Sequence, residues 1–278
     1  MNNVEDDKTD EILTEKTGDN MLEQQWELRL ELLKSWMFEA GERQVERMNE
    51  GLQVEQKSAA NDLVTEMDLW TDEFLQAKIK ENFPDDSIYS EEIGQLQGNS
   101  GYEWVIDPID GTTNYAHGFS MFCISVAVNY EKETVIGVVL APQLKQCYEA
   151  IRGQGAFLNG KRLSVSSIDS MPKAIVATGF PYDKATHPEN NVKQFNAVIL
   201  KVGDIRRTGS AALDLCHVAG GQFEAYWEYK INRWDFEAGL LIVQEAGGKV
   251  AKKKLSRGYL IVAGNEVIFD GLLELIKE

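Results

Sequence analysis

Apolar residues recur at three- and four-residue spacing through Leu22, Trp26, Leu30, Leu33, Met37 and Ala40, which predicts an amphipathic helix over 21–49 packed on the core. Gly51 closes that region. The stretch KSAANDLVTEMD over 57–68 is a polar loop turning into Leu63-Val64-Thr65. A second periodic run, with Leu75, Ile79 and Phe83 on one stripe, predicts a helix over 69–83 that Asp68 would N-cap and Pro84 would end. Ile88-Tyr89-Ser90 reads as a short strand delivering Glu91-Glu92 at its end. Trp104-Val105-Ile106 suits a buried strand that breaks at Asp107-Pro108. Beyond Gly118 the period becomes two: Phe122, Ile124, Val126, Val128 and Tyr130 form one strongly apolar face. Glu131-Lys132-Glu133 makes a turn, strands follow over 134–140 and 146–151, and Asn159-Gly160 signals a further hairpin, so an antiparallel meander is expected.

From about Lys173 the rhythm is α/β. Strands are predicted over 175–180, 205–206, 223–227 and 259–263, and helices over 190–201, 210–218, 236–246 and 267–276, with Gly247-Gly248 closing the third. The polar stretch 165–173, with Ser166-Ser167 and Pro172, reads as a joint. The expected organisation is an N-terminal α+β lobe over 21–170 followed by a smaller α/β lobe over 171–278. Residues 1–20, with seven acids and two lysines, cannot repay the entropy of ordering and are expected to be a disordered acidic tail.

Composition narrows the functional classes. A chain of 278 residues with 43% hydrophobic content can bury a sizeable core. No apolar run approaches the roughly 20 residues of a membrane span, and no signal pattern opens the chain, so a cytoplasmic protein with no membrane partner is expected. A net charge of −17 disfavours nucleic acid as a ligand. Cys123, Cys147 and Cys216 are far apart and read as buried small hydrophobes rather than a disulfide or zinc framework. None of G-x-S-x-G, C-x-x-C, G-x-G-x-x-G or a Walker loop occurs, and His117, His187 and His217 have no acid–base partner pattern.

The chemistry concentrates in carboxylates at element ends. Asp107 and Asp110 flank Pro108-Ile109, so two acids and the Ile109 carbonyl can converge on a hard cation. Gly111-Thr112-Thr113 then offers N–H donors to an oxyanion. Asp235, before a helix, reads as an N-cap or as the last ligand of a metal site, and Gly209-Ser210 opens another helix towards a polar ligand. Arg206-Arg207, adjacent on a strand, would point to opposite faces and is read as structural.

Together, DLVTEMD ending at Asp68, SEE at Glu91-Glu92, WVIDPIDGTTN around Asp107 and WDFEAG around Asp235 resemble the inositol monophosphatase family of magnesium-dependent, lithium-sensitive phosphatases. The resemblance spans nearly the whole chain after the tail; the segment KVAKKKLSRGY departs from it, lacking the acidic-glycine turn usual after GG. It implies the layered α/β sugar phosphatase fold, with the active site between the lobes. By position, Glu91, Asp107 and the Ile109 carbonyl would hold one Mg2+, and Asp107, Asp110 and Asp235 a second, with Glu92 and the loop residue Lys57 as accessories. Asp68 and Thr112 would position and deprotonate the attacking water, and the N–H groups of Gly111 and Thr112 would cradle the phosphate. Asp110, Ala211, Glu228 and Asp235 would meet the hydroxyls of a polyol. The implied protein is a homodimer hydrolysing inositol monophosphate or a similar polyol monophosphate. Fructose 1,6-bisphosphatase or NADP 2′-phosphatase activity is the enzymatic alternative. A transcription-machinery binding role, known for some bacterial relatives, is the alternative of a different class.

Overall fold

Helix α1 spans Glu5–Glu50, and the strands β1 (Val54–Gln56) and β2 (Leu63–Thr65) that follow pair antiparallel. The computed structural model describes the backbone of residues 5–50, 54–56 and 63–277, and the side chains of 21–50, 55 and 64–277. Gly51 and the loop holding Lys57 lie outside the described residues, as do the side chains of the acidic segment 1–20.

Helix α2 (Glu66–Asn82) begins three residues before the predicted 69. Thr65, not Asp68, is its N-cap: the Thr65 hydroxyl accepts from the Met67 N–H at 3.2 Å, while Asp68 reaches back to the Thr65 N–H at 2.8 Å. The pattern Thr-x-x-Asp is thus a capping box. Strands β3 (Ser87–Ser90) and β4 (Gly94–Leu96) form a tight hairpin whose turn is Glu91 to Ile93.

Strand β5 (Tyr102–Asp110) does not stop at Pro108 as expected. The short helix α3 (Thr112–Ala116) and strand β6 (Cys123–Tyr130) come next, and β6 pairs antiparallel with β5. Asp107 lies opposite Ser125 and Asp110 opposite Cys123, so Pro108 and Ile109 face the single residue Ile124. Proline has no N–H to donate, and the ladder absorbs it as a bulge. The predicted meander follows: β7 (Glu133–Ala141), β8 (Gln146–Ile151), β9 (Gly155–Leu158) and β10 (Lys161–Arg162). Asn159 and Gly160 both adopt positive φ, 48° and 77°, as the hairpin turn requires. The eight-stranded sheet runs β10-β9-β8-β7-β6-β5-β3-β4, with β3 and β5 parallel.

The C-terminal segment contributes β11 (Ile175–Thr178), α4 (Val192–Ile199), β12 (Asp204–Arg206), α5 (Ala211–Ala219), β13 (Ala225–Ile231) and α6 (Arg233–Glu245). It ends with β14 (Lys249–Lys254), β15 (Tyr259–Gly264) and α7 (Glu266–Lys277). Its five strands run β12-β11-β13-β15-β14. Helix α4 is shorter than the predicted 190–201 because Asn191, at φ 68°, sets its start. Strand β13 begins two residues later than predicted and runs four further. The KVAKKK segment forms β14, an edge strand whose exposed lysines discourage pairing with another chain.

The two large sheets and three helical layers alternate. On one face of the eight-stranded sheet, Leu33, Trp36 and Met37 of α1 and Leu75 and Ile79 of α2 bury Trp104, Ile106, Val126 and Val138. On the other, Leu213 and Leu215 of α5 and Phe236, Leu241 and Val243 of α6 meet Val105, Ala127, Val139 and Tyr148, and also Tyr226, Ile261 and Ala263 of the five-stranded sheet. The outer face of that sheet is covered by Val198 of α4 and Ile268 and Leu272 of α7. Helix α6 is buried continuously over 236–243, the mark of a helix with no solvent face. The fold is α/β, with mixed sheets and flanking helices. Among the described residues no helix is long and apolar enough to cross a membrane.

Candidate metal and phosphate centre

The bulge in β5 makes the site. Side chains alternate along a strand, so residues 107 and 110 would normally face opposite ways. One extra residue resets the alternation and brings Asp107 and Asp110 to the same side, 1% and 7% exposed. Asp235 arrives from the first turn of α6. It is not the N-cap but the third helical residue, and its Oδ2 accepts the Asn232 N–H at 2.6 Å, completing a second capping box. One oxygen from each of Asp107, Asp110 and Asp235 lies within 4.8 Å of the others. Glu91 joins from β3, whose parallel ladder with β5 extends one residue: the Glu91 N–H donates to the Ile106 carbonyl at 3.2 Å, which sets Glu91 beside Asp107.

Burial first, then the charges of Glu91, Asp110, Asp235 and Asp68, push Asp107 well above the ordinary carboxylate range. Asp235 is raised by burial, Glu91 and Asp110. Asp110 is raised by burial too, but its Oδ2 accepts from the Ser210 hydroxyl at 2.5 Å and the Ala212 N–H at 2.7 Å, and its Oδ1 from the Ala211 N–H at 3.3 Å. Asp110 therefore sits on the N-terminus of α5. An all-oxygen donor set whose members repel one another fits a hard divalent cation such as Mg2+.

Asp68 lies buried close to the cluster. The Thr112 hydroxyl is 3.1 Å from Asp68 Oδ1 and 3.0 Å from the Ile109 carbonyl, joining residues far apart in sequence. Burial lifts Asp68 to about 6, against the hydrogen bonds from Thr65. Gly111 turns the chain at φ 94°, where a Cβ would lie 2.9 Å from the Met121 carbonyl. Only glycine allows the chain to enter α3 there. The opening N–H groups of that helix have no intrahelical partner. Asn114 Nδ2 donates to the carbonyls of Met121 (2.6 Å) and Thr208 (2.9 Å), tying this corner to the loop before α5.

A cavity of about 1320 Å³ opens on this cluster and is also lined by Glu228, Arg207, Tyr182 and Lys230. Burial raises Glu228 to about 7; the Tyr226 hydroxyl, which donates to it, and Arg207 act in the opposite direction. Gly179 makes room for the Glu228 carboxyl, since a Cβ there would come within 2.2 Å of it. Lys230, at φ 63° in the irregularity of β13, reaches Asp183 at 3.5 Å.

The structure thus gathers Asp68, Glu91, Glu92, Asp107, Ile109, Asp110, Gly111, Thr112, Ala211, Glu228 and Asp235 on one cavity or directly behind it. The Ala211 N–H is turned to Asp110. Two further positions border the site, Arg207, read as structural from sequence, and Asp72, which had no assignment. Arg207 lies beyond the end of β12, so strand alternation does not govern it: Arg206 pairs with Asp204 at 2.6 Å, while Arg207 lines the cavity. Asp72, on α2 one turn after Asp68, is buried at 0% behind the Glu91 turn, and only the four-residue spacing of the two acids hints at it. All three cysteines are buried and unpaired, as expected.

A model described as the inositol monophosphatase family matches residues 26–276. The Nus factor SuhB of Pseudomonas aeruginosa is 40% identical over 244 residues, covering 84% of this chain and 89% of the relative. The inositol-1-monophosphatase of Synechocystis sp. is 40% identical over 200 residues, covering 72% and 70%. Among solved structures, the extragenic suppressor protein suhB of Bartonella henselae superposes with a TM-score of 0.82 at 32% identity, covering 90% of this chain and 98% of the other.

Proposed function

The chain belongs to the inositol monophosphatase family, within the magnesium-dependent phosphomonoesterase superfamily, and we propose that it hydrolyses inositol monophosphate or a similar polyol monophosphate. One observation carries the proposal: the carboxylate cluster and Thr112 share a cavity with Glu228, and Thr112 bonds the buried Asp68 directly behind it. Glu91, Asp107 and the Ile109 carbonyl would hold one Mg2+, and Asp107, Asp110 and Asp235 a second, with Glu92 close by. When bound, the ions supply positive charge to the ester oxygens and lower the pKa of water.

The chain's own residues do the rest. Asp68 Oδ1 and the Thr112 hydroxyl hold the attacking water in line with phosphorus. Asp68, lifted to about 6, takes the proton as the new P–O bond forms. N–H groups of Gly111 and Thr112 donate to phosphoryl oxygens, and the ester P–O bond breaks with the leaving alkoxide protonated from solvent. Glu228 accepts from a polyol hydroxyl, with Asp110, Ala211 and Asp235 lining the same side of the substrate. Residues 21–170 form the lobe with most metal ligands, and residues 171–278 supply Asp235 and the substrate wall. The same reading makes the protein a cytoplasmic homodimer acting on small phosphate esters, without nucleic acid or membrane as ligand.

Names among the relatives span a Nus factor and a phosphatase, so similarity alone does not choose between binding and catalysis. The cluster of metal-capable carboxylates favours catalysis. Phosphate release from a panel of inositol phosphate, fructose 1,6-bisphosphate and NADP with magnesium tests the proposal. Good NADP turnover without inositol phosphate turnover would overturn the substrate, and an Asp107→Asn variant with wild-type activity would overturn the mechanism.

A further inference from the structure

Asp72 is a buried carboxylate that the mechanism above does not use. It stands on α2 at 0% exposure, one helical turn after Asp68 and one before Gln76, on the same face. Its Oδ1 accepts from Gln76 Nε2 at 3.0 Å. Its Oδ2 accepts from the Ser90 hydroxyl at 2.8 Å and the Ile93 N–H at 3.1 Å, and the Glu92 N–H donates to the same carboxylate. Gln76 Nε2 also reaches the Ser90 hydroxyl at 3.2 Å. Every partner is a donor from its own helix or from the β3–β4 hairpin, and they bracket Glu91: Ser90 precedes it, and the two N–H groups follow it. A carboxylate stripped of water in this way is retained only if its hydrogen bonds are satisfied. Those bonds close the turn whose first residue is Glu91.

We propose that Asp72 is a positioning residue for magnesium binding: by holding the turn 90–93 through Ser90, Glu92 and Ile93, it fixes the Glu91 carboxylate beside Asp107. The inference rests on the functional reading above for Glu91 as a ligand. Outer partners that orient a metal ligand typically contribute 10- to 100-fold in affinity. Asparagine at position 72 keeps the size but turns an NH2 group towards N–H and O–H donors, so the turn loosens without leaving a cavity.

Magnesium binding measured by calorimetry is the direct test, because it does not depend on turnover. Asp72→Asn is expected to weaken binding by about 10- to 100-fold, with kcat recovering at saturating magnesium. Ser90→Ala, which leaves the Asp72 carboxylate its bonds from Gln76, Glu92 and Ile93, is expected to weaken it by a smaller factor and serves if Asp72→Asn does not fold. The decisive measurement is the cycle with Glu91→Gln: in that background Asp72→Asn should cost no further affinity, since its effect passes through Glu91. Unchanged magnesium affinity in folded Asp72→Asn or Ser90→Ala, or full additivity with Glu91→Gln, would overturn the proposal. A wild type that binds magnesium but hydrolyses no phosphomonoester would refute the function above, while a Glu91-dependent loss of affinity would still uphold the role of Asp72. A wild type that binds no magnesium would refute both.

Discussion

Asp107→Asn should make the metal-free protein more stable while removing the stabilisation that magnesium confers. Oxygens of Asp107, Asp110 and Asp235 lie within 4.8 Å of one another. At an effective dielectric of about 20, two unit charges at that separation repel by about 3.5 kcal/mol, so full ionisation of Asp107 against both neighbours would cost about 7 kcal/mol. The cluster relieves part of this by holding protons, and all three carboxyls are raised from their ordinary values. A pKa raised on folding contributes stability below the ordinary carboxylate value and loses it as pH rises through the folded value. Metal-free wild type should therefore lose stability as pH rises from the ordinary carboxylate range through the raised values of the cluster. Asparagine is nearly isosteric and keeps an oxygen for the Ile109 N–H, which Asp107 Oδ1 accepts at 3.1 Å. The substitution removes charge without a cavity, and a gain of about 2–4 kcal/mol at about pH 8 is expected, read as a rise of at least about 5 °C in Tm. Magnesium at a hundredfold excess over its Kd should stabilise wild type by about 2.7 kcal/mol, and the variant hardly at all. Thermal melts in chelator and in magnesium decide it. A variant that melts below wild type in chelator at that pH, or gains as much from magnesium, would refute the reasoning.

Other expectations follow from the same geometry. Thr112→Ala and Asp68→Asn should each lower kcat by about 100-fold or more at saturating magnesium, with calorimetric magnesium affinity little changed; an equal loss of affinity would make them metal-site residues instead. Burial lifts Glu228 to about 7 from 4.5, so its stabilising contribution is present below about pH 4.5 and lost as pH rises through about 7. Glu228→Gln should flatten that slope and stabilise the protein above pH 7 by up to about 3 kcal/mol in urea melts, while raising KM for a polyol phosphate. Arg29, 4% exposed, pairs with Asp86 at 3.1 Å and lies 4.2 Å and 3.7 Å from the ring centroids of Phe83 and Tyr102. Asp86→Ala would strand that guanidinium and the Trp104 Nε1–H, which donates to Asp86 at 2.9 Å, and should cost about 3–5 kcal/mol in denaturant unfolding with kcat of the folded enzyme unchanged.

Element types were largely legible because period alone separates helices such as α2 from strands such as β6. Element starts were less so. Asp68 and Asp235 each look like an N-cap when the apolar stripe is counted from its first strong residue, yet both are third residues of capping boxes opened by Thr65 and Asn232. Both T-x-x-D and N-x-x-D were visible, but a short acid can cap or be capped against. The β5 bulge was hidden for a different reason. Proline predicts that a ladder bond is missing, not whether the strand ends or swallows the gap, and the outcome depends on β6 resuming its pairing at Cys123. Asp107, Asp110 and Asp235 stood out in the sequence because they lie at strand and helix ends, and the fold brings them together. Arg207 lies beyond the last residue of β12, so strand alternation gave no guide to its place on the cavity. Asp72 was passed over because nothing in its own motif distinguishes an acid aimed at backbone N–H groups from one on a solvated face.

Helices α5 and α6 are shared property of both sheets, and that restricts how the molecule can move. Drawing the sheets apart by a hinge would wet both sides of α6 at once, exposing Phe236, Leu241 and Val243 together with Tyr148 and Tyr226. Domain closure of the clamshell kind is therefore closed to this architecture. With the two sheets joined through these shared helices, the chain should melt in one cooperative step rather than in sequence.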